Sequence, residues 1–482
     1  MVNPMKKKIL TVLALMALGL VIVSIGISGD DPLDPSVEKT LAYQLPKVPP
    51  EENAYIGVSG LSQVEDGDVV AAGLKRLRSG VQYQKKQPQE PLFEFSYRNP
   101  CIGLDEHENC LDQIVADAQI VNEEIQKNNE IIKRYHIVQA MPLYVNDTAD
   151  IFDVVPQYHY LVDTSRLLNA KALLDIKRGD IDGGLASIER EMDFYKKIYQ
   201  SEHINLIDLM IAAAGTQLNL IALSKVIEDG QIDINGYEER LRKMLDLQLT
   251  PSLMMTRALE TEKRVNLQTF GNILLTKTVG WEAVGRFFKE LPDKGLNQEN
   301  ELTEGVFSFF LKKNMTSNLL ASRMDEDIRR IESAPLLNFP DFYITFTQTE
   351  KQELKSRSNP GIKDLYKRYG LFFFKNYTGE IMAAIAHPDY MRYLARLNDT
   401  LVFSRMTRAQ LELRMLAERP GDVSEALAKL GPETWNSYTG KPFEWNQEKN
   451  TLWAVKAAML GSSFEHDQSG MIIEAAVPLP RP

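Results

Sequence analysis

The sequence is poor in the residues that build metal and redox sites. It contains two cysteines and six histidines among 482 residues, and no two histidines stand four positions apart. The HExxH pattern of helical zinc hydrolases is therefore absent. We expect no metal ligands and no cofactor.

Basic residues are also in deficit, because 55 lysines and arginines face 66 aspartates and glutamates, for a net charge of −11. Phosphate backbones require a cationic surface, so nucleic acid is not an expected partner. The chain has no Walker A loop and no G-x-G-x-x-G loop, which excludes the two common phosphate cradles. The hydrophobic share of 44% is typical of a globular protein.

Patterns for nucleophilic or acid catalysis are incomplete. The segment Gly57-Val58-Ser59-Gly60-Leu61 lacks the second glycine of a nucleophile elbow, and Ser36 with Lys39 lacks the companion motifs of an S-x-x-K site. Glu380, close to three consecutive phenylalanines, is a carboxylate whose pKa apolar neighbours would raise. A carboxylate that reaches solvent or a basic neighbour is by far the commoner case, so we assign no catalytic residue.

What the chain does have is one long apolar run near its start. Three lysines, Lys6 to Lys8, precede the run from Ile9 to Ile27, and Asp30 and Asp31 follow it. As a helix the run is about 28 Å long, enough to cross a hydrocarbon core of about 30 Å. The lysines place the N-terminus in the cytoplasm and the body on the far side. A cleaved signal peptide is the alternative, and it would export the body as well.

The two cysteines lie in the exported part. Cys101 and Cys110 are close in sequence, and in an oxidising compartment such a pair is expected to form a disulfide. Two free thiols, or a metal site that includes His107, are the alternatives. The short loop would give a stabilisation of about 2–3 kcal/mol.

Composition and breaks suggest five regions. Residues 1–8 are the cytoplasmic n-region, 9–27 the transmembrane anchor, and 28–54 a proline-rich tether in which the prolines oppose a helix. Residues 55–292 and 303–482 form two helical lobes, because a body of this size exceeds one comfortable core. The polar stretch Leu291 to Glu304 is the expected boundary between them.

Helical periodicity dominates the first lobe. Apolar residues recur at helical spacing from Leu111 to Tyr135 and on both sides of the turn Arg178-Gly179-Asp180. The latter pair of helices resembles one tetratricopeptide-type hairpin, without the repeat that would make a solenoid. The segment Ile204 to Ile227 is apolar nearly all round. Its polar residues, including Asp208 and Lys225, favour a buried core helix over a second membrane span.

The second lobe is less regular. The stretch from Ser333 to Lys363 reads as irregular, and its aromatic part, Phe339 to Tyr343, suits either core packing or a partner anchor. Helical spacing returns from Leu371 to Glu418. Asp422-Val423-Ser424-Glu425 is a capping box, and two short strands, Phe443 to Trp445 and Thr451 to Val455, are expected to form a β-hairpin.

Several short motifs together resemble a known family. They are Glu52-Asn53-Ala54-Tyr55, Cys101, Cys110-Leu111, Arg134-Tyr135, Arg178-Gly179-Asp180, Ala428-Lys429-Leu430 and Tyr438-Thr439-Gly440-Lys441-Pro442-Phe443. The chain resembles a family of uncharacterised, membrane-anchored periplasmic helical proteins of Gram-negative bacteria. The resemblance implies a periplasmic, mainly helical body and carries no catalytic residue.

Three functions remain open from the sequence. A membrane-anchored protein of the cell envelope that binds or scaffolds a partner protein is favoured, because helical hairpins present grooves for peptides and helices. An envelope hydrolase that uses paired carboxylates on glycan or peptide is the alternative. A purely structural spacer is the third. In each case the cytoplasmic membrane is a partner through the N-terminal helix.

Overall fold

The computed structural model describes a mainly helical chain with a small antiparallel sheet. The described residues are 30–62, 68–84, 95–101, 110–148, 155–275, 312–357, 390–416, 422–448, 450–455, 457 and 474–478. The apolar run from Ile9 to Ile27, the expected lobe boundary, His107 and Glu380 lie outside them.

Eleven of the described helices precede residue 276. They are α1 Pro35–Ala42, α2 Ala54–Gly60, α3 Val69–Gln84, α4 Cys110–Ala116, α5 Ala118–Lys127, α6 Asn129–Ala140, α7 Tyr158–Lys177, α8 Ile181–Gln200, α9 Leu206–Glu228, α10 Glu238–Leu245 and α11 Pro251–Leu275, with a 3₁₀ turn at Pro50–Glu52. The later elements are α12 Lys313–Ser333, α13 Phe339–Arg357, α14 Tyr390–Arg414, α15 Val423–Lys429, a 3₁₀ turn at Pro432–Thr434, β1 Glu444–Asn446, β2 Thr451–Val455 and β3 Glu474–Pro478.

The hairpin of α7 and α8 is confirmed. Gly179 has a φ of +97°, which glycine adopts at little cost, and so it can end α7 and reverse the chain. The Asp180 side chain then accepts a hydrogen bond from the Gly183 amide at 3.0 Å and caps α8. The Arg178-Gly179-Asp180 segment is thus a turn.

The apolar helix α9 is the centre of the body. It packs against α7, α8, α11 and α14, and fifteen of its residues are buried. Among the described residues it is the one helix long and apolar enough to cross a membrane, but most of its apolar stretch is buried inside the protein. The prediction of a buried core helix over Ile204 to Ile227 is therefore confirmed.

Helices from the two predicted lobes pack on each other. α9 and α11, from the first, contact α14 and α12, from the second. Their buried apolar side chains belong to one cluster that extends from Val37 to Ala457. The described parts of the two lobes therefore share a core.

The proline-rich segment does contain a helix, so the expectation of extended chain is wrong for Pro35–Ala42. Asp34 caps α1 by accepting a hydrogen bond from the Ser36 amide at 2.8 Å. Pro35 occupies the first turn, where a helix needs no amide hydrogen from it. Val37 is buried, so the segment is part of the body.

The region from Leu111 to Tyr135 is divided into three helices, α4 to α6, which the continuous apolar spacing did not indicate. At the second break, the Asn128 side chain donates to the Glu124 carbonyl at 3.0 Å. Asparagine competes with the helical backbone for hydrogen bonds in this way.

The stretch after Ser333 was expected to be irregular, and this is wrong for α13. Asn338, with a φ of +57°, precedes it, and Pro340 fits in its first turn. Phe339 and Tyr343 are fully buried one helical turn apart, and their rings stack on each other, with Phe339 also stacking on Tyr438. Of the two explanations for this aromatic segment, core packing applies.

The C-terminal strands form a three-stranded sheet and not the expected two-stranded hairpin. β1 pairs with β2 as predicted, with Trp445 opposite Leu452. β3 adds to the other side of β2, with Leu452 opposite Val477, in the order β1-β2-β3. The Asp422 cap of α15 is confirmed, since its carboxylate accepts hydrogen bonds from the Ser424 and Glu425 amides.

Candidate functional site: buried carboxylates between α6, α7, α8 and α9

Asp208 is the most enclosed carboxylate at the N-terminal end of α9. It is the third residue of the helix, and together with Asn205 it forms a reciprocal capping box. The Asp208 amide donates to Asn205 Oδ1 at 2.8 Å, and the Asn205 amide donates to Asp208 Oδ2 at 3.1 Å. The positive end of the helix dipole favours a negative charge here.

Three further side chains donate hydrogen bonds to the Asp208 carboxylate. Tyr144 Oη donates to Oδ1 at 2.6 Å, Asn146 Nδ2 donates to Oδ2 at 2.6 Å, and Tyr158 Oη donates to Oδ1. Burial raises the pKa of Asp208, and the hydrogen bonds from Asn146, Tyr144 and Tyr158 oppose that rise. The network connects α9 to α7 and to the chain that follows α6.

A second carboxylate lies beside this helix end. Glu262 of α11 accepts a hydrogen bond from the Leu206 amide through Oε1 at 3.0 Å. Burial raises its pKa, and the neighbouring charge of Asp208 raises it further. Two carboxylates thus serve the N-terminus of one helix, one as a capping residue and one from the adjacent helix.

Glu191 of α8 is the centre of a separate network. Its carboxylate accepts from Tyr135 Oη at 2.8 Å, Ser165 Oγ at 2.6 Å and Gln139 Nε2 at 2.6 Å. Tyr195 Oη lies 2.6 Å from Ser165 Oγ and extends the network. Burial raises the pKa of Glu191 to about 6, against the lowering effect of these hydrogen bonds.

The two networks share helix α7 and contact it at different levels. Tyr158 and Ser165 of α7 reach Asp208 and Glu191 respectively. Seven helical residues separate these two donors, a distance of about 10 Å along the axis. The side chains of Asp208 and Glu191 are fully or almost fully buried, at 0% and 1% exposure.

Whether a substrate can reach these carboxylates decides what chemistry they support. A general acid or base must reach a substrate proton within hydrogen-bond distance. Asp208 and Glu191 are buried and their oxygens accept from protein donors, so they stabilise the packing of α6 to α9. Glu262 is half-buried and is the least enclosed of these three carboxylates. No group of three metal-ligating side chains occurs in the described ranges.

The predicted disulfide is present. Cys101 and Cys110 are bonded to each other, both are buried, and Cys110 begins α4. The bond joins the segment 95–101 to the helical body. Neither free thiols nor a metal site formed by this cysteine pair fits the structure.

The weak catalytic patterns have structural explanations. Ser59 is buried inside α2, and its hydroxyl donates to the Tyr55 carbonyl at 3.0 Å. The Ser36 hydroxyl donates to Asp34 at 2.6 Å, in the cap of α1. The partner of Ser59 is a backbone carbonyl, which is not a base, and the carboxylate beside Ser36 is the N-cap of α1.

The role of Glu191 was not predicted from the sequence, and Asp208 was considered only as a polar residue that speaks against a membrane span. Both had a local signal. Glu191 lies on the same helical face as Ile188 and Tyr195, where a carboxylate needs buried donors. Asn205 and Asp208 have the spacing of a capping box before an apolar helix. The tyrosines that complete both sites are distant in sequence and gave no such signal.

The chain was compared with family models, curated proteins and solved structures, and none of them matches it.

Proposed function

We propose that this chain is a membrane-anchored protein of the cell envelope that binds or scaffolds a partner protein. In this proposal the run from Ile9 to Ile27 is a single-pass anchor and the body lies in the periplasm of a Gram-negative bacterium. The Cys101–Cys110 disulfide supports an oxidising compartment. The resemblance to membrane-anchored periplasmic helical proteins agrees with this location.

The observation that carries the binding proposal is an incompletely covered apolar face on the central helix. Ile207, Ile211 and Ala214 lie at helical spacing on α9, and we call them the α9 strip. Ile207 is 46% exposed, Ala214 is exposed and Ile211 is half-buried. Leu253, on the adjoining helix α11, is 47% exposed. Apolar side chains at this spacing suit an amphipathic helix or peptide of a partner.

The buried carboxylates favour binding over catalysis. The Asp208 carboxylate accepts four hydrogen bonds from protein donors and the Glu191 carboxylate accepts three. These bonds hold α9, which carries the α9 strip, and its neighbouring helices in place. Rigid presentation of an apolar surface lowers the entropic cost of binding. The anchor would restrict the search for a partner to the membrane surface.

The test is crosslinking in intact cells through a photoreactive residue at position 207, followed by identification of the adduct. The same residue at Glu239, an exposed position on α10, is the control. We expect one envelope protein to crosslink from position 207 and not from position 239. The purified partner should then bind the body and lose affinity for Ile207→Asp, but keep it for Glu239→Gln. Identical crosslinks from both positions would reject the α9 strip as the binding surface.

The hydrolase alternative has its own test, because Glu262 is half-buried with a raised pKa. Purified body is incubated with peptidoglycan and with envelope peptides, and products are separated by mass spectrometry. Cleavage that disappears in Glu262→Gln and persists in Glu239→Gln would establish the enzyme. No cleavage together with a specific crosslink is the result that we expect.

A further inference from the structure

The first described residues of the chain cap a helix that lies almost three hundred residues later. The Asp30 carboxylate accepts from the Asn314 amide at 2.9 Å through Oδ2 and from the Met315 amide at 3.1 Å through Oδ1. The residue at the N-cap of α12, Lys312, makes no side-chain cap of its own. Asp30 therefore satisfies amides that every helix N-terminus leaves free.

Side chains of α12 hold the residues that follow Asp30 as well. Asn314 Nδ2 donates to the Asp31 carbonyl at 2.8 Å. Asn318 forms two bonds, donating through Nδ2 to the Pro32 carbonyl at 3.0 Å and accepting at Oδ1 from the Asp34 amide at 2.9 Å. These bonds fix residues 30–34 along the first turns of α12.

The segment stays attached beyond these bonds. Val37 of α1 is 1% exposed, and α1 packs against both α11 and α12. At its far end Tyr43 lies against His203, and the Arg264 guanidinium lies 5.8 Å from the centre of the Tyr43 ring. Residues 30–43 are therefore docked on the body and do not act as a free spacer.

This docking limits the distance between the body and the membrane. The apolar run ends at Ile27, three residues before Asp30. Three extended residues span at most about 10 Å. The headgroup layer on each side of a bilayer is roughly 5–8 Å thick. If Ile27 marks the end of the membrane span, the first turn of α12 lies at or next to the headgroups.

We infer that the end of the body formed by Asp30, Lys313 and Asn314 contacts the phospholipid headgroups of the membrane that holds the anchor. This inference rests on the proposed function, because it takes the apolar run as an uncleaved anchor. The occupant of this end is then the bilayer surface. Of the three carboxylates that follow the run, Asp30 caps α12 and Asp34 caps α1, so the positive end of a helix dipole offsets part of each of these two charges.

The test uses the full chain reconstituted in vesicles of phosphatidylethanolamine and phosphatidylglycerol that contain a headgroup spin-labelled lipid. A fluorophore is attached through Lys313→Cys or, as the matched control, through Glu332→Cys near the other end of α12. The two positions are about 28 Å apart along the helix. The native cysteines are joined in a disulfide and do not take up the label.

We expect quenching at position 313 to exceed quenching at position 332 several-fold. The double variant Asp30→Ala with Asn318→Ala removes the hydrogen bonds that these two side chains form between residues 30–34 and α12, and it should bring the ratio of quenching towards one. Ser322→Ala, an exposed substitution on the same helix, should leave the ratio unchanged. Circular dichroism of each variant verifies that the helices remain folded.

Two outcomes overturn the inference, and they are distinguishable. Chain that stays with the vesicles in high salt but shows equal quenching at both positions keeps its anchor and refutes only the orientation. Chain that is released by high salt, or that loses its first residues on export, refutes the anchor and the orientation together. The comparison between positions 313 and 332 in the parent chain does not depend on how the double variant folds.

Discussion

The ring of Tyr195 occupies the space that a side chain at Gly215 would need. A Cβ built on Gly215 would lie 2.0 Å from Tyr195 Cζ, so the absence of a side chain on α9 allows this ring to fit. The ring in turn directs its hydroxyl to Ser165, which donates to Glu191. The contact between α8 and α9 therefore supports the Glu191 network.

Gly215→Ala should destabilise the protein although alanine is the better helix former. Alanine gains about 1 kcal/mol of helix propensity, but its Cβ would displace the Tyr195 ring from a packed core at a cost of about 3 kcal/mol, for a net loss of about 2 kcal/mol. Urea unfolding measures the change. In the double variant with Tyr195→Leu, the two losses should be less than additive. Additive losses would show that the ring and Gly215 do not compete for space.

Glu191 should make the free energy of unfolding depend on pH in an unusual direction. Its pKa is about 6 in the folded protein against an ordinary value of 4.5. The folded state thus binds more protons than the unfolded state between these values, and stability falls as pH rises through them. The expected loss is about 2 kcal/mol. Denaturant unfolding across this range measures it.

Glu191→Gln should remove that part of the pH dependence, because glutamine does not titrate. Glu239→Gln, on an exposed position, should retain it. The same slope in the parent and in Glu191→Gln would assign the effect to another group, of which Asp208, with its raised pKa, is the first to examine.

Glu412 should make the stability depend on pH in the direction opposite to that of Glu191. It accepts two hydrogen bonds from Arg242, both at 2.8 Å, and one from Arg408 at 2.9 Å, and this lowers its pKa. Its contribution to stability is complete above its ordinary pKa of 4.5 and is lost as pH falls below it. Glu412→Gln should cost about 1–2 kcal/mol at neutral pH.

The difference between parent and Glu412→Gln should shrink in acid, as chemical unfolding at several pH values would show. Glu425→Gln is the matched control, since Glu425 forms an exposed pair with Lys429. Such pairs contribute about 0–1 kcal/mol. Equal effects of the two substitutions would mean that the Arg242 contact between α10 and α14 adds nothing specific.

The disulfide should contribute about 2–3 kcal/mol, because it closes a loop with a sequence separation of 9. Cys101→Ser with Cys110→Ser should lower the melting temperature. A reducing agent should lower the melting temperature of the parent and leave that of the double variant unchanged. If the reductant lowered the melting temperature of both proteins equally, its effect would not come from breaking the Cys101–Cys110 disulfide.

Much of the local structure could be predicted because its causes are local. The turn at Gly179, the cap at Asp422 and the pairing of β1 with β2 each depend on residues that are close in sequence. The helix α13 could not be recognised in this way. Its buried face is completed by Tyr438, which comes from a distant segment, and the aromatic sequence alone also suited a surface anchor.

The candidate site was less predictable than the fold. Glu191 depends on Tyr135, Gln139 and Ser165, and Asp208 depends on Tyr144, Asn146 and Tyr158. Each carboxylate lies on an apolar helix face, which the sequence shows. Whether such a carboxylate is buried and hydrogen-bonded can be decided only when its donors are known. Those donors lie between 26 and 64 positions away.

By itself the sequence determined a mainly helical class, the α7–α8 hairpin and the helix that forms the centre of the core. Periodicity, glycine turns and caps encode these features within a few residues. Only the tertiary structure decided that Asp30 caps α12 and that the segment after the apolar run is docked on the body. That contact joins residues 284 and 285 positions apart, and its partners become neighbours only after the helices between them have packed.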